Sequence, residues 1–271
     1  MRTLIFLLLL TFVSCTSYKD MAYDFVNKSK GASIAFYVPD ELKKTNLRND
    51  CDIESEEFAE LDENQIRDAV NSRIKILNKI DDDIFLDVMI ASFEETLYDY
   101  DLELKYWENA NVEPDSLHWI VDLSHLEIQE ILTHQYVSCG YDGNYELIPL
   151  TRINVASWFE VLNDEKSTMV FTEHNYDDYI ADCYYTLDSL NNVIANVEFQ
   201  SVDIEGFYDF AVVLGKLYAG YIYDFFMNEY VSKEMMKKGK EYSIEENYMR
   251  YDPYEMYIYY TVGDRVIEIE K

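Results

Sequence analysis

The residues best suited to covalent or metal chemistry are four histidines and four cysteines, so their spacing decides how far a catalytic reading can go. His118, His125, His134 and His174 never fall one helical turn apart with an acid between them, which excludes the helical zinc-protease pattern. His134 stands five residues before Cys139, the pairing of a thiol nucleophile with its base, but closeness in sequence does not set geometry and an inert thiol is the simpler expectation. The run Glu173-His174-Asn175-Tyr176-Asp177-Asp178 offers ligands for a divalent ion, yet the same residues suit a polar loop between strands, which is the expectation here. Asp50, Asp52, Glu54 and Glu56 alternate like calcium ligands without the glycine that lets a loop wrap the ion. No phosphate loop, dinucleotide fingerprint or nucleophile elbow occurs. The expectation is a chain with no catalytic, metal or cofactor residues. A hydrolase built on His134 and Cys139, or on His174 and Asp178, is the least favoured alternative.

Cys15 carries a stronger pattern. One cation, Arg2, precedes the apolar run Leu4 to Leu10 and then Phe12-Val13-Ser14-Cys15. The run is too short to span a bilayer, which takes about 20 apolar residues, but has the parts of a secretory signal. Its last four residues resemble the lipobox of bacterial lipoproteins, with Phe12 where that motif usually has Leu. The Tyr-, Asp- and Asn-rich style is similar to lipoproteins of Bacteroidota. The resemblance implies cleavage after residue 14, acylation of Cys15 and an outer-membrane address whose face stays open. Asp115-Ser116-Leu117 and Asp188-Ser189-Leu190 resemble O-glycosylation sites of the same group's envelope proteins, though turn chemistry explains both. After lipidation of Cys15 an odd number of cysteines remains, Cys51, Cys139 and Cys183; the expectation is three buried or free thiols, with Cys139 and Cys183 the candidate disulfide if one forms, because both precede or begin expected strands.

Charge narrows the partners. The chain has 53 acids against 22 Lys and Arg, and loss of residues 1–14 removes Arg2 alone. Such a surface repels phosphate backbones, so nucleic acid is excluded as a partner, and lipid on Cys15 is the expected means of membrane attachment. Three Trp and 25 Tyr could stack on sugars. Trp119 has the phase of a core residue, whereas Trp107 and Trp158 lie opposite the main apolar phase of their strands.

The elements that would position these residues follow from periodicity. Residues 15–31 read as a lipidated Cys with a tether, and Ile34, Phe36 and Val38 as a strand stopped by Pro39. Ile66, Val70, Ile74 and Leu77 form a helical stripe; Asp81-Asp82-Asp83 suits the start of a second helix ending near Tyr100. Strands follow at Leu102 to Tyr106, at Trp119 to Ile128 with a bulge near Ser124-His125, and at Ile153 to Val161 turning at 163–166 into Met169 and Phe171. A further hairpin joins Tyr185 and Leu187 to Ile194 through Phe199. The strongest helix spans about 204–235, with Phe207, Phe210, Leu214, Leu217, Tyr221 and Phe225 on one stripe. Its small residues Ala211, Gly215 and Ala219 are expected to pack across the sheet, and Lys233, Lys237, Lys238 and Lys240 complement its C-terminal dipole. Tyr257 to Val262 and Val266 to Ile269 read as a terminal hairpin.

These elements predict an α+β fold: a largely antiparallel sheet, built as a meander and covered by amphipathic helices. Residues 1–14 are the signal, 15–31 the anchor and tether, and 32–271 one globular domain. This pattern resembles the α+β domains of envelope-assembly and transport-accessory lipoproteins. The resemblance implies a membrane-anchored, non-enzymatic binding or assembly module with a protein or lipid partner in the envelope; the alternative is a surface protein that binds glycans or host molecules. Clustered Trp and Tyr on an open face would favour glycans, whereas an exposed apolar groove or sheet edge would favour assembly.

Overall fold

The computed structural model describes residues 17–48, 62–105, 118–138, 146–163, 166–191 and 193–269. The signal 1–14, Cys15, the acidic run 50–56 with Cys51, Tyr106, Trp107, Asp115-Ser116-Leu117 and Cys139 lie outside the described residues.

The segment expected as a tether is a helix from its third residue onward, α1 (Tyr18–Lys28). Ser17 caps it by accepting from the Asp20 backbone while Asp20 accepts from the Ser17 backbone. Met21, Ala22 and Phe25 share one helical face and are buried, with Phe25 stacked on Trp119 at 5.6 Å. Burial of that face, about 25 cal/mol per Å² of apolar surface, holds the segment in the core where a polar tether would stay in water.

The strands are β1 (Ser33–Tyr37), β2 (Lys43–Asn46), β3 (Glu103–Lys105), β4 (His118–Val137), β5 (Glu146–Asn163), β6 (Lys166–Asp177), β7 (Tyr179–Leu187), β8 (Val193–Gln200), β9 (Met249–Asp252), β10 (Tyr257–Tyr260) and β11 (Ile267–Ile269). One sheet runs β11-β6-β5-β4-β1-β3, with β2 also on β4. The meander expectation holds for β4, β5 and β6, but β1 and β3 pair in parallel, as do β1 with β4 and β2 with β4, so the sheet is mixed. A parallel pair needs a crossover, and helices between β1 and β3 supply it. The bulge falls between Asp122 and His125, and it lets Trp119, Val121 and Leu123 share the buried face with Leu126 and Ile128.

Among the described residues the later helices are α2 (Glu63–Asn71), α3 (Asp82–Asp99), α4 (Ile204–Lys237) and the short α5 (Ile244–Asn247). The Asp triplet is a cap: Asp81 Oδ1 accepts from the Ile84 N–H at 3.1 Å. Asp203 caps α4 in the same way. By length and composition α4 could cross a membrane, yet 72% of its most apolar window is buried. Tyr218 packs edge-on against Phe159 and hydrogen-bonds Ser157, while Phe226 stacks on Trp119 at 4.2 Å. Gly215 does not face the sheet as expected; it meets α3, where an added Cβ would lie 2.9 Å from the Phe93 nitrogen and nearer still to the Met89 carbonyl.

The expected terminal hairpin does not form. Asn228, buried on α4, bonds both backbone groups of Met249, at 2.7 Å to its carbonyl and 3.0 Å from its N–H, and so fixes β9 in place. Its strand partner β10 then pairs with β9, which leaves β11 to extend the main sheet on β6.

Candidate functional site

Two places combine exposure with unusual side chains. The first is the β7–β8 hairpin, which forms its own two-stranded sheet. Residues opposite one another share a face, so Leu187 and Val193, Tyr185 and Ala195, and Cys183 and Val197 make one apolar side. Leu187 and Val193 are 64% and 65% exposed, and Leu190 at the turn 78%. The other side is polar apart from Ile194, which pairs with Thr186: Tyr184 donates to Glu198 at 2.8 Å and Asn196 to Thr186 at 2.7 Å. The Asp188-Ser189-Leu190 stretch is a turn in which Asp188 accepts from the Leu190 N–H. An isolated hairpin is marginal in water, and here a disulfide at Cys183 adds a covalent hold. The chain's other three cysteines lie outside the described residues.

The second is a cavity of about 220 Å³ between α3, α4 and the β9–β10 hairpin, with Tyr100, Tyr251, Tyr254 and Tyr259 around Lys216 and Arg250. Arg250 is fixed from behind: Nε donates to Asp224 at 2.9 Å, Nη1 bonds Asp264, and the guanidinium sits over the Tyr221 ring. Asp224 lies fully buried in α4 and also accepts from the Tyr251 N–H at 2.9 Å. Burial pushes its carboxyl up to about 7, against the pull of Arg250 and that N–H. Against burial, which favours its neutral form, Asp224 and Asp264 keep the Arg250 guanidinium above its usual range.

No family model matches the chain, and no curated protein matches it. Among solved structures it shows a likeness to a chain described as a candidate neuraminyllactose-binding hemagglutinin homolog from Helicobacter pylori, at a TM-score of 0.25 and 8% identity, covering 77% of this chain and 90% of that one. A likeness that faint carries no argument about fold or ligand.

The structure separates His174 from Asp178, one of the two pairs a hydrolase would need; Cys139 of the other pair lies outside the described residues. Glu173 to Asp177 belong to strand β6, which corrects the expected loop. His174 stacks on Tyr221 at 5.7 Å, and burial holds its imidazole below the usual range despite Asp264 and Glu173. Asp178 is buried elsewhere: its oxygens accept from the backbone of Thr151 and Val202 and from Lys75 Nζ, which overcome burial and lower its carboxyl. His134 is exposed near the far end of β4. Trp119 is core, as its phase predicts, and Trp158 is half-buried on the opposite face beside Phe171 and His125. No group of three or more metal-ligating side chains converges among the described residues.

Sequence reasoning missed Glu130 and Arg250. Glu130 is fully buried and accepts from the N–H groups of Lys75, Ile76 and Leu77 and from Arg48. The available signal was a glutamate on the apolar phase of β4, two residues past Ile128. Arg250 gave no local signal because its two carboxylates come from distant parts of the chain.

Proposed function

We propose that this chain is a non-enzymatic envelope lipoprotein, anchored through lipid on Cys15, that binds a protein partner on the apolar face of the β7–β8 hairpin. The carrying observation is that face: Leu187, Val193 and Tyr185 stand exposed on a strand pair that, among the described residues, no third strand joins. Exposed apolar surface on strands that, among the described residues, carry no third strand suits docking by an extended or apolar segment, with backbone hydrogen bonds supplying affinity. Asp182 and Glu198 on the polar side, in a chain of net charge −31, favour a partner with a basic rim. The test is a photo-crosslinking residue at Val193 in the cell of origin, with Val213 on α4 as the control position. A discrete protein adduct at Val193 that disappears on Leu187→Asp supports the reading; adducts equal at both positions, or none, refute it.

A second reading, a small polar ligand such as a saccharide unit, is favoured by the tyrosine-lined cavity at Lys216 and Arg250. Tyrosine faces stack on sugar rings while charged side chains bond hydroxyls. Saturation-transfer NMR against a saccharide panel, repeated with Tyr254→Ala, tests it; no transfer from any sugar removes it.

A further inference from the structure

We infer that the pole of the molecule formed by the start of α1 and the end of α4 rests on the headgroups of an anionic bilayer. The inference rests on the proposed lipid anchor at Cys15. Only Thr16 separates Cys15 from the helix cap Ser17, and two residue steps span at most about 7 Å. Acyl chains on Cys15 would therefore hold this end of the folded body against the membrane surface, with no slack for a free tether.

The surface found there differs from the rest of the chain. α1 runs back along the end of α4: Phe25 meets Tyr223, Lys28 meets Tyr230 and Tyr18 meets Tyr242 at 4.9 Å. Beside the cap, Lys19 Nζ lies 4.8 Å from the centre of the Tyr257 ring and 5.5 Å from that of Tyr260. Tyr257 and Tyr260 are each about half exposed, and Met236 is exposed. Four of the chain's 22 cations fall within residues 233–240, where Glu234 is the one acid. Lys237 pairs with Glu234 at 2.7 Å. Lys233, Lys238 and Lys240 are exposed and form no ion pair among the described residues.

Interfacial tyrosines with lysines that reach for phosphates are the side chains a bilayer surface selects. The lysines also neutralise the C-terminal dipole of α4, but a dipole asks for one or two charges in the last turn and not for neighbouring exposed tyrosines. Elsewhere the acidic surface would be repelled by the same headgroups, so the orientation follows from both attraction and repulsion. Each lysine close to an anionic surface raises occupancy of the docked orientation about fivefold.

The experiment uses the mature protein extracted with its native N-terminus and reconstituted into vesicles of phosphatidylcholine with about 30% phosphatidylglycerol. Trace lysine acetylation read by mass spectrometry compares vesicles with detergent solution, and the intact mass of the N-terminal peptide reports acylation. Acylated Cys15 with at least threefold protection of Lys233, Lys238 and Lys240, and unchanged reactivity at the exposed Lys216, supports the inference. Acylated Cys15 with equal reactivity at all four lysines overturns the docked pole and leaves the anchor standing. An unacylated N-terminus overturns the anchor and the docked pole together.

Discussion

Replacing Gly215 with alanine sets two effects of opposite sign against each other. In an exposed helix interior the change would stabilise by about 1 kcal/mol, because glycine has the larger backbone entropy to lose. At Gly215 the new methyl would lie 2.9 Å from the Phe93 nitrogen and closer still to the Met89 carbonyl, both backbone atoms of α3 that cannot rotate away. Relief requires α3 and α4 to separate by several tenths of an ångström to about 1 Å, and a gap of that size forfeits a quarter to a half of each contact's attraction. The stacked Phe85–Phe207 pair and the Ser92 hydroxyl bond to the Val212 carbonyl span the same seam. Overpacking of this kind costs about 1–3 kcal/mol, and backbone-on-backbone contact puts Gly215→Ala at the upper end, leaving a net loss of about 2 kcal/mol. Urea unfolding of the unlipidated protein, followed by tyrosine fluorescence and far-UV circular dichroism, measures it. Val213→Ala, at a half-exposed position of the same helix, is the control and should change stability by less than about 0.5 kcal/mol. A Gly215→Ala protein as stable as the parent would refute the seam and return the small-residue stripe to other uses, such as helix association in a membrane.

Further expectations follow from the buried polar groups. Glu130→Ala strands three N–H groups and Arg48, and should cost about 3–5 kcal/mol by denaturant titration, with Glu130→Gln milder; a loss under 1 kcal/mol would contradict the bonding described. Asp224 has a folded pKa raised to about 7, so the folded state holds its proton more tightly than the unfolded chain does. Its contribution is present below about pH 4 and is lost as pH rises to about 7, by up to ~4 kcal/mol; Asp224→Asn should flatten the fall in stability between pH 4 and 7, and an unchanged slope would count against it. Glu127 acts in the opposite sense: against burial, bonds from Thr45 and Lys43 hold it at about 2, so its contribution is lost as pH falls from about 4 toward 2, and Glu127→Gln should reduce acid sensitivity in the same titration. Non-reducing peptide mapping should recover Cys183 linked to Cys139; linkage to Cys51 would redirect the pairing.

Elements whose signals are local were legible in the sequence. Asp81 announces its helix by capping chemistry and the apolar stripe from Phe207 announces α4, the bulge shows as a phase slip at Ser124-His125, and the hairpins at 163–166 and 187–193 follow from alternation broken by turn residues. The helix α1 was readable too, since Ser17 and Asp20 form a capping box ahead of Met21, Ala22 and Phe25, but the polar residues between them suggested a tether. The pairings of β1 with β4 and of β11 with β6 join distant segments and leave no periodic trace, and adjacency in sequence favoured the wrong terminal hairpin. The same limit hid the Arg250 cluster: Asp224 comes from mid-α4 and Asp264 from a turn after β10, and neither stands out among 53 acids. The outward face of β6 reads as loop because Glu173, Asn175 and Asp177 are polar, although their partners Ala156, Asn154 and Arg152 keep the strand paired.

The docking of α1 on α4 also sets an order of events for the newborn chain. Phe25 finds Tyr223 and Tyr230, Lys28 finds Tyr230, and Tyr18 finds Tyr242, contacts that close loops of about two hundred residues. Closure on that scale comes late, because its entropy must be met before any contact rewards it. Residues 18–28 thus stay undocked until nearly all of the chain has been made. A chain truncated before Ile204 should leave residues 18–28 open to limited proteolysis, whereas the full chain should protect them. On the proposed export, this late docking of α1 onto α4 would itself supply part of the delay in folding that a translocase requires of its cargo.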